Sequence, residues 1–320
     1  MDPICHTMVG AALASTGLER KTRFGAATLI LGANLPDVDV ISYAWGETAA
    51  LGFRRGITHG VLALVVLPLL LAGAMMLISR LPRRGRGSPA VAADFKWLLA
   101  LSAIAVLSHP TLDYLNVYGV RWLMPFDDTW FYGDVLYIVD PWMWAILAVA
   151  LIAARWRRNR NAQRVFARPA CVGLLVVFVY VVAMAAGESI SRRAVEVSLT
   201  DAAIPRMMIA PVLGDPFRRA VVIDGRFAYR LGAVNLLQAP RFALDERRIP
   251  RGEGEAARLA AATGAGQIFL RWARFPFFEI DESETESVVY IIDARYTLDR
   301  NVLFGAIRIP LSMAVAERKP

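Results

Sequence analysis

Long apolar segments separated by short polar ones occupy the first part of the chain. A helix needs about 20 apolar residues to cross a bilayer. Four segments approach or reach that length: residues 61–79, 97–109, 141–154 and 170–187. Two shorter segments, residues 7–18 and 24–35, flank a basic turn and indicate a helical hairpin packed inside the bundle. The pattern therefore predicts an α-helical membrane bundle over residues 1–187, with about four clear spans and a short N-terminal helical hairpin.

The pattern changes after residue 187, where apolar residues alternate with charged ones. Alternation with a period of two is typical of half-buried strands, and it occurs at residues 194–199, 220–223, 226–231, 275–280, 287–296 and 306–313. Asp224 and Gly225 form a hairpin-turn dipeptide between two of these runs, and residues 253–269 favour a helix. We therefore predict a small extramembrane α+β domain, mainly antiparallel β, over residues 188–320.

The charge distribution agrees with a membrane bundle. The 320-residue chain is 56% hydrophobic with a formal net charge of +8, and its arginines cluster beside apolar segments. Basic loops beside spans are typically cytoplasmic, which predicts that side for the loops at residues 19–23, 80–96 and 155–168. We therefore expect a multi-pass inner (plasma) membrane protein in contact with lipid. No nucleic-acid partner is expected, and residues 188–320 are predicted to be non-cytoplasmic.

The few histidines of the chain stand at edges of apolar segments, on the predicted non-cytoplasmic side. Asp113 follows His109 by four residues, so a continuous helix would place both side chains on one face. That pair alone could be a hydrogen-bonded tie between two helices. Imidazole nitrogens and carboxylate oxygens are zinc ligands, however, and the sequence predicts one divalent-metal site, for zinc or manganese, with ligands His6, Asp37, His59, His109 and Asp113.

Other polar residues on this side are candidates for chemistry on a substrate. Asp39 or Asp134 could orient a water molecule or accept its proton, although Asp39 could also belong to a simple turn. Asp140 before a proline favours a helix N-cap. Three basic residues could clamp a phosphate or carboxylate or, equally well, anchor the chain to anionic lipid: Arg54, Arg55 and Arg121.

Several short motifs of polar, glycine and proline residues recur at the edges of the apolar segments over residues 1–155. They are Met1-Asp2-Pro3 with His6-Thr7, Asn34-Leu35-Pro36-Asp37-Val38-Asp39, Arg55-Gly56-Ile57-Thr58-His59, Ser108-His109 with Leu112-Asp113-Tyr114-Leu115-Asn116, and Asp134 with Ile138-Val139-Asp140-Pro141-Trp142. Together they resemble the motifs of the YdjM-type family of membrane-bound, predicted metal-dependent hydrolases. Residues 269–276 also resemble the tail domain of longer members. The resemblance implies a multi-helix inner-membrane protein. It also implies a distant similarity to the zinc-dependent phospholipase C and P1 nuclease group. By that analogy, the five predicted ligands of this chain would bind zinc.

Two functions are compatible with these features. In the first, the protein is a metal-dependent hydrolase that acts on a phosphoester or another lipid-borne ester at the non-cytoplasmic face, with a water molecule activated by the metal. In the alternative, it is a non-catalytic membrane scaffold in which the His/Asp cluster fastens helices together and residues 188–320 bind a protein partner. A cation transporter is disfavoured because the segments at residues 61–79 and 170–187 carry no charge at mid-depth.

Overall fold

The fold is that of a computed structural model, which describes residues 1–81, 91–159, 167–199, 206–225, 227–282, 287–302 and 304–311. The chain divides into two compact units. One consists of Met1–Ile41 and Phe53–Ala186, and the other of Ser42–Gly52 and Gly187–Pro320. Parts of the predicted loops at residues 80–96 and 155–168, and the end of the predicted strand at residues 306–313, lie outside the described residues.

Helices make up the first part of the chain. They are α1 (Pro3–Ser15), α2 (Gly25–Gly32), α3 (Glu47–Phe53), α4 (Ala63–Arg80), α5 (Phe95–Tyr114), α6 (Pro141–Asn159) and α7 (Ala167–Ser198), with 3₁₀ helices at Leu18–Arg20 and Leu35–Trp45. Among the described residues, three helices are long and apolar enough to cross a membrane: α4, α5 and the Arg168–Ser198 part of α7. The predicted fourth span lies in α6 and is not confirmed, because arginines 155, 157 and 158 shorten its apolar stretch.

The two short N-terminal helices are present, and glycines allow them to pack closely. The first helix begins earlier than predicted because the Asp2 side chain caps it, accepting from the Cys5 N–H at 3.0 Å, and Pro3 occupies its first turn. A Cβ on Gly10 would lie 2.8 Å from the Leu29 carbonyl oxygen, so α1 and α2 meet backbone to backbone. A Cβ on Gly32 would lie 2.8 Å from the Ala105 side chain, which brings α2 against α5.

The described residues of the last part of the chain form two antiparallel sheets, with two helices between them in sequence. The first sheet has the order β1-β2-β3-β4 and the second β5-β6-β7. The elements are β1 (Met207–Val212), β2 (Asp215–Asp224), β3 (Ala228–Asn235), β4 (Phe242–Pro250), α8 (Glu255–Ala262), α9 (Gly264–Trp272), β5 (Pro276–Glu282), β6 (Ser287–Asp293) and β7 (Ala306–Pro310). The mainly antiparallel β region is therefore confirmed, and β1 and β4 are additional to the predicted strands.

The strand predicted at residues 194–199 is wrong, because α7 continues to Ser198. Val195 is fully buried and packs with Met207 and Ile209 of β1, whereas Val197 is 83% exposed. Continuing the helix keeps its backbone hydrogen bonds and still buries the apolar residue that the domain core requires. A six-residue alternation at the end of a long helix does not distinguish these two structures.

Candidate metal centre

The five predicted metal ligands lie together at one end of the helical unit. His6 is in the first turn of α1, and His59 precedes α4 by one turn. His109 and Asp113 are in the last turns of α5, and Asp37 is in the 3₁₀ helix that follows α2. Because α1 and α4 begin at this end whereas α2 and α5 end there, the antiparallel packing of four helices assembles the cluster.

Two histidines and a carboxylate form the centre of the cluster. The Nε2 atoms of His59 and His109 are 3.1 Å apart. The Asp113 Oδ2 atom lies 3.2 Å from the first of these nitrogens and 3.4 Å from the second. The Asp37 Oδ1 atom is 3.7 Å from His109 Nε2 and 4.0 Å from His59 Nε2. Four side chains from three chain segments thus direct their polar atoms at one small volume.

His6 completes the cluster on the other side of Asp113. Its Nε2 atom lies 3.3 Å from Asp113 Oδ1, and its ring stacks on that of His109 with 3.7 Å between centroids. All three imidazoles are fully buried. The ring nitrogens of His6 and the Oδ2 atom of Asp113 are buried atoms for which the described residues provide no hydrogen bond of good geometry. Buried polar atoms are rarely left in this state.

The outer nitrogens of two histidines are held by neighbours. His109 Nδ1 is 2.6 Å from the carbonyl oxygen of Ala33. A carbonyl only accepts, so Nδ1 carries a proton and Nε2 faces the cluster, where it would offer a lone pair to an ion once deprotonated. His59 Nδ1 is 2.9 Å from Thr58 Oγ1 and 3.5 Å from Asp39 Oδ2. Partners of this kind typically orient metal-binding histidines through the nitrogen that does not bind the ion.

The distances among these atoms suit a small divalent cation. Bonds of about 2.0–2.1 Å from a tetrahedral ion place its ligand atoms roughly 3.3–3.4 Å apart, close to the separations around Asp113. Within the described part of the chain, two groups of potential ligands meet this requirement loosely, with all ligand atoms of a group within 4.8 Å of one another. One is His6, His109 and Asp113, and the other is Asp37, His59 and His109. The donor set present therefore fits a divalent ion.

Two predicted substrate-binding arginines contact the carboxylates of the cluster. Arg55 Nη2 lies 3.0 Å from Asp113 Oδ1, which also contacts the amino group of Met1. Arg54 lies 3.3 Å from both Asp37 and Asp39 through its two terminal nitrogens. Asp39 Oδ2 in turn accepts from the Arg55 backbone N–H at 2.8 Å. In this structure the arginines neutralise acidic residues of the site.

Arg121, the third predicted substrate-binding arginine, is buried and supports the segment that carries Arg54 and Arg55. Its Nη2 donates to the Arg54 carbonyl at 3.0 Å, and its backbone N–H donates to the Arg55 carbonyl at 3.0 Å. Gly56 makes room for it, because a Cβ there would lie 2.6 Å from Arg121 Nη2. Arg55 itself has a left-handed backbone with φ of 50°. A side chain is rarely placed in this region without a reason, and here it aims the guanidinium at Asp113.

Burial and charge set the protonation of the residues outside the spans. Burial lowers the pKa of His59 below its usual value of 6.5, and the Asp113 carboxylate offsets only part of this effect. Burial acts to raise the pKa of Asp37, but His109 and the Arg54 guanidinium outweigh it, so the pKa is lowered. At neutral pH, His59 is therefore neutral and Asp37 ionised, the states in which both side chains bind metals.

Two further predicted residues lie in the loop between α5 and α6. Asp134 is buried with a left-handed backbone, φ 57°, and belongs to neither ligand group among the described residues. Asp140 is the N-cap of α6, since its Oδ1 accepts from the Trp142 and Met143 N–H groups at 3.0 Å. Its other carboxylate oxygen accepts from Tyr180 at 3.0 Å. The cap predicted for Asp140 is thus present.

Sequence reasoning missed two residues that support the site. The buried Asn116 accepts from Arg55 Nη1 at 3.1 Å and from the Tyr118 N–H at 2.8 Å. Thr58 contacts both His59 and Asp39. Both stand inside the motifs on which the resemblance rests, beside Asp113 and His59 respectively. That position was the available signal, although a hydrogen-bonding role has no spacing rule of its own.

These observations define a multi-helix membrane protein with a buried cluster of histidine and aspartate side chains at one end of its bundle. The chain belongs to the YdjM inner membrane protein family, whose sequence model matches residues 1–188. All five predicted ligands lie inside that match. The chain is also similar to YfhP of Bacillus subtilis strain 168, an uncharacterized protein, with 23% identity over 280 residues that cover 87% of this chain and 79% of YfhP. No solved structure gives a significant match.

Proposed function

We propose that this protein is a membrane-embedded, metal-dependent hydrolase that acts on a phosphoester or another lipid-borne ester at the non-cytoplasmic face. The observation that supports it most directly is the 3.1 Å approach of His59 Nε2 and His109 Nε2 beside the Asp113 carboxylate. One N–H···N hydrogen bond can join two imidazoles at this distance, but it leaves the buried His6 nitrogens and Asp113 Oδ2 without a hydrogen bond of good geometry among the described residues. A shared zinc or manganese ion would bind these atoms together with the two Nε2 atoms.

In this proposal the chain's residues have separate tasks. His6, Asp37, His59, His109 and Asp113 hold the ion. A bound divalent ion supplies Lewis acidity and lowers the pKa of water from about 15.7 toward about 7. Asp39 or Asp134 orients the water or accepts its proton. Arg54 binds the anionic part of the substrate, because its guanidinium is at the partly exposed side of the cluster and pairs with carboxylates that the ion also neutralises.

Metal content measured by elemental mass spectrometry tests the proposal. Wild type and His109→Ala are purified in detergent, together with Ser108→Ala as the matched control, since the Ser108 hydroxyl donates to the Ala105 carbonyl of its own helix. We expect stoichiometric zinc or manganese in wild type and in Ser108→Ala, and its loss in His109→Ala. Hydrolysis of a panel of phosphoesters and lipid esters should follow the metal. Well-folded wild type with neither metal nor activity after zinc or manganese addition contradicts the proposal.

A second candidate function is a non-catalytic membrane scaffold with a protein partner for residues 188–320. The ion pairs favour it, because Arg54 and Arg55 already neutralise carboxylates of the cluster. The two functions differ in the effect of Asp39→Ala and Asp134→Ala. A hydrolase loses turnover in at least one of these variants while its metal and fold persist, whereas a scaffold has no turnover to lose.

A further inference from the structure

The 3₁₀ helix that carries Asp37 presents apolar side chains outward. Side chains three residues apart lie on the same face of such a helix. Pro36 and Asp39 share the buried face. The other two faces expose Val38 by 44%, Val40 by 52% and Ile41 by 59%. This helix, Leu35–Trp45, therefore buries a carboxylate of the site and turns a row of aliphatic side chains to its surroundings.

The cluster reaches the surface at this same helix. The side chains of Asp37 and Arg54 are 15% and 19% exposed, whereas those of His59, His109 and Asp113 are 0–1% exposed. The Asp37–Arg54 ion pair is thus the opening of the site. Val40 follows Asp37 by three residues, so the two share a face of the 3₁₀ helix. The charged opening has an exposed aliphatic side chain directly beside it.

Exposed apolar residues also lead along the chain from His59 into a spanning helix. Ile57 is 50% exposed and precedes the buried His59 by two residues. After His59 the chain exposes Val61 and Leu62 and then enters α4, where Val65 is 61% exposed. The spanning helix is long and apolar enough to lie in lipid. Exposed apolar residues that lead directly into such a helix are expected to face the same medium.

We infer that the site opens sideways into the bilayer and takes an anionic lipid from it. Val38, Val40 and Ile41 contact the acyl chains, and the charged headgroup meets Arg54 at the opening, where a guanidinium pairs well with phosphate. The substrate class rests on the proposed function, whereas the position of the helix in lipid does not. A protein partner on the same aliphatic row is the alternative that the test addresses.

Spin labels on single cysteines test the position of the helix. The background is Cys171→Ser, since Cys171 is exposed whereas Cys5 is buried. Labels at V40C and I41C are compared in vesicles of neutral and anionic phospholipid with two references. One is V65C on the spanning helix, and the other is E246C on the exposed face of β4. Collision rates with oxygen, which enriches in lipid, and with a water-soluble nickel chelate are measured for each label.

We expect V40C and I41C to resemble V65C, with high oxygen and low nickel accessibility. Labels that resemble E246C overturn the inference, because the helix then lies in water. Labels that neither reagent reaches also overturn the inference, because protein then covers the aliphatic side chains of this helix. These readouts do not require activity, so the opening into lipid can stand even if the proposed hydrolase function fails.

Substrate preference tests the second part of the inference, that the site takes its substrate from the lipid bilayer. The same phosphoester headgroup is offered on a vesicle lipid and on a short-chain soluble analogue. The double variant V40S/I41S should lower the ratio of vesicle to soluble turnover by about tenfold or more, since each loses apolar contact with the acyl chains. The control is V212S, which makes the same substitution at an exposed valine of β1 and should leave the ratio unchanged. Turnover with an unchanged ratio in V40S/I41S overturns the lipid substrate and leaves the hydrolase proposal intact.

Discussion

His109 Nδ1 lies 2.6 Å from the carbonyl oxygen of Ala33, so the end of one short helix fixes the ring of a histidine in a spanning helix. Ala33 is the C-cap residue of α2. The last carbonyls of a helix have no partner within it, and here a ring N–H provides one. The same contact satisfies α2 and leaves the second ring nitrogen, Nε2, facing the cluster.

This contact predicts a difference between two substitutions of His109. Asn can still donate an amide N–H toward Ala33, whereas Ala cannot, and neither provides a nitrogen at the position of Nε2. We expect both variants to lose the metal. The free energy of unfolding of His109→Asn should be about 1 kcal/mol higher than that of His109→Ala, because the amide keeps a hydrogen bond to Ala33. Unfolding in mixed detergent micelles and metal analysis measure the two effects. Metal retained by His109→Asn would show that Nε2 is not a ligand.

Arg55 provides a prediction about buried charge. Its guanidinium is 3.0 Å from Asp113, and both side chains are almost fully buried. Arg55→Gln leaves the carboxylate without this partner, so we expect a loss of roughly 3–5 kcal/mol of unfolding free energy. Added zinc should restore part of it, because a bound ion neutralises the same carboxylate. The matched control is Arg54→Gln, which should cost less than Arg55→Gln because the Arg54 side chain is more exposed.

No stabilisation of Arg55→Gln by zinc, with wild type equally insensitive to zinc, would favour a cluster held by ion pairs alone. Stabilisation of the variant and of wild type by the ion, but not by magnesium, would favour a metal site of histidine and carboxylate ligands.

The lowered pKa of His59 predicts stability that falls in acid. Its pKa is about 6.5 in an unfolded chain and lower in the folded protein. The unfolded state therefore binds a proton first as pH falls, so the stability from this group is present above pH 6.5 and is lost toward the folded pKa. Asp37, also with a lowered pKa, adds a loss in the same direction at lower pH.

Melting temperatures of chelator-treated protein between pH 8 and pH 5 measure this dependence. We expect His59→Gln to be less stable than wild type at pH 8 and to show a shallower fall on acidification, since Gln does not titrate. An identical pH slope in wild type and His59→Gln would contradict a neutral buried His59.

Close packing of α2 gives a prediction that needs no metal. A Cβ on Gly32 would lie 2.8 Å from the Ala105 side chain and 3.2 Å from Leu71, so Gly32→Ala should push helices apart and cost about 1–3 kcal/mol. Gly73 in α4 has open space at the same atom. Gly73→Ala should be neutral or stabilising by up to about 1 kcal/mol. Equal stability of the two variants, measured by thermal unfolding, would show that α2 can move without cost.

The elements of the site were predictable from sequence to the extent that polarity marks them. A histidine or aspartate at the edge of an apolar segment is costly near a bilayer, and this made His6, His59, His109, Asp37 and Asp113 visible as a set. The structure brings all five together, while their binding of a metal stays a prediction. The rest of the site depends on tertiary geometry. Nothing in the residue type of Ala33 indicates that its carbonyl holds a histidine.

In the fold, too, local composition predicted some elements, whereas others depend on tertiary contacts. Apolar length predicted the spanning helices α4 and α5, which depend on local composition. It did not decide between helix and strand at Val195, where burial against Met207 and Ile209 is compatible with both. The roles of Arg54 and Arg55 were also open, because a left-handed backbone at Arg55 redirects a side chain that sequence places near the lipid headgroups.

The ligands come from chain segments that are synthesised far apart in time. His6 leaves the ribosome first, and Asp113 follows only after both helical hairpins, α1–α2 and α4–α5, have been made. No partial product of insertion contains the whole cluster, so an ion bound by all five side chains would be retained only once the two hairpins have docked. Metal occupancy would then report that assembly in the membrane is complete.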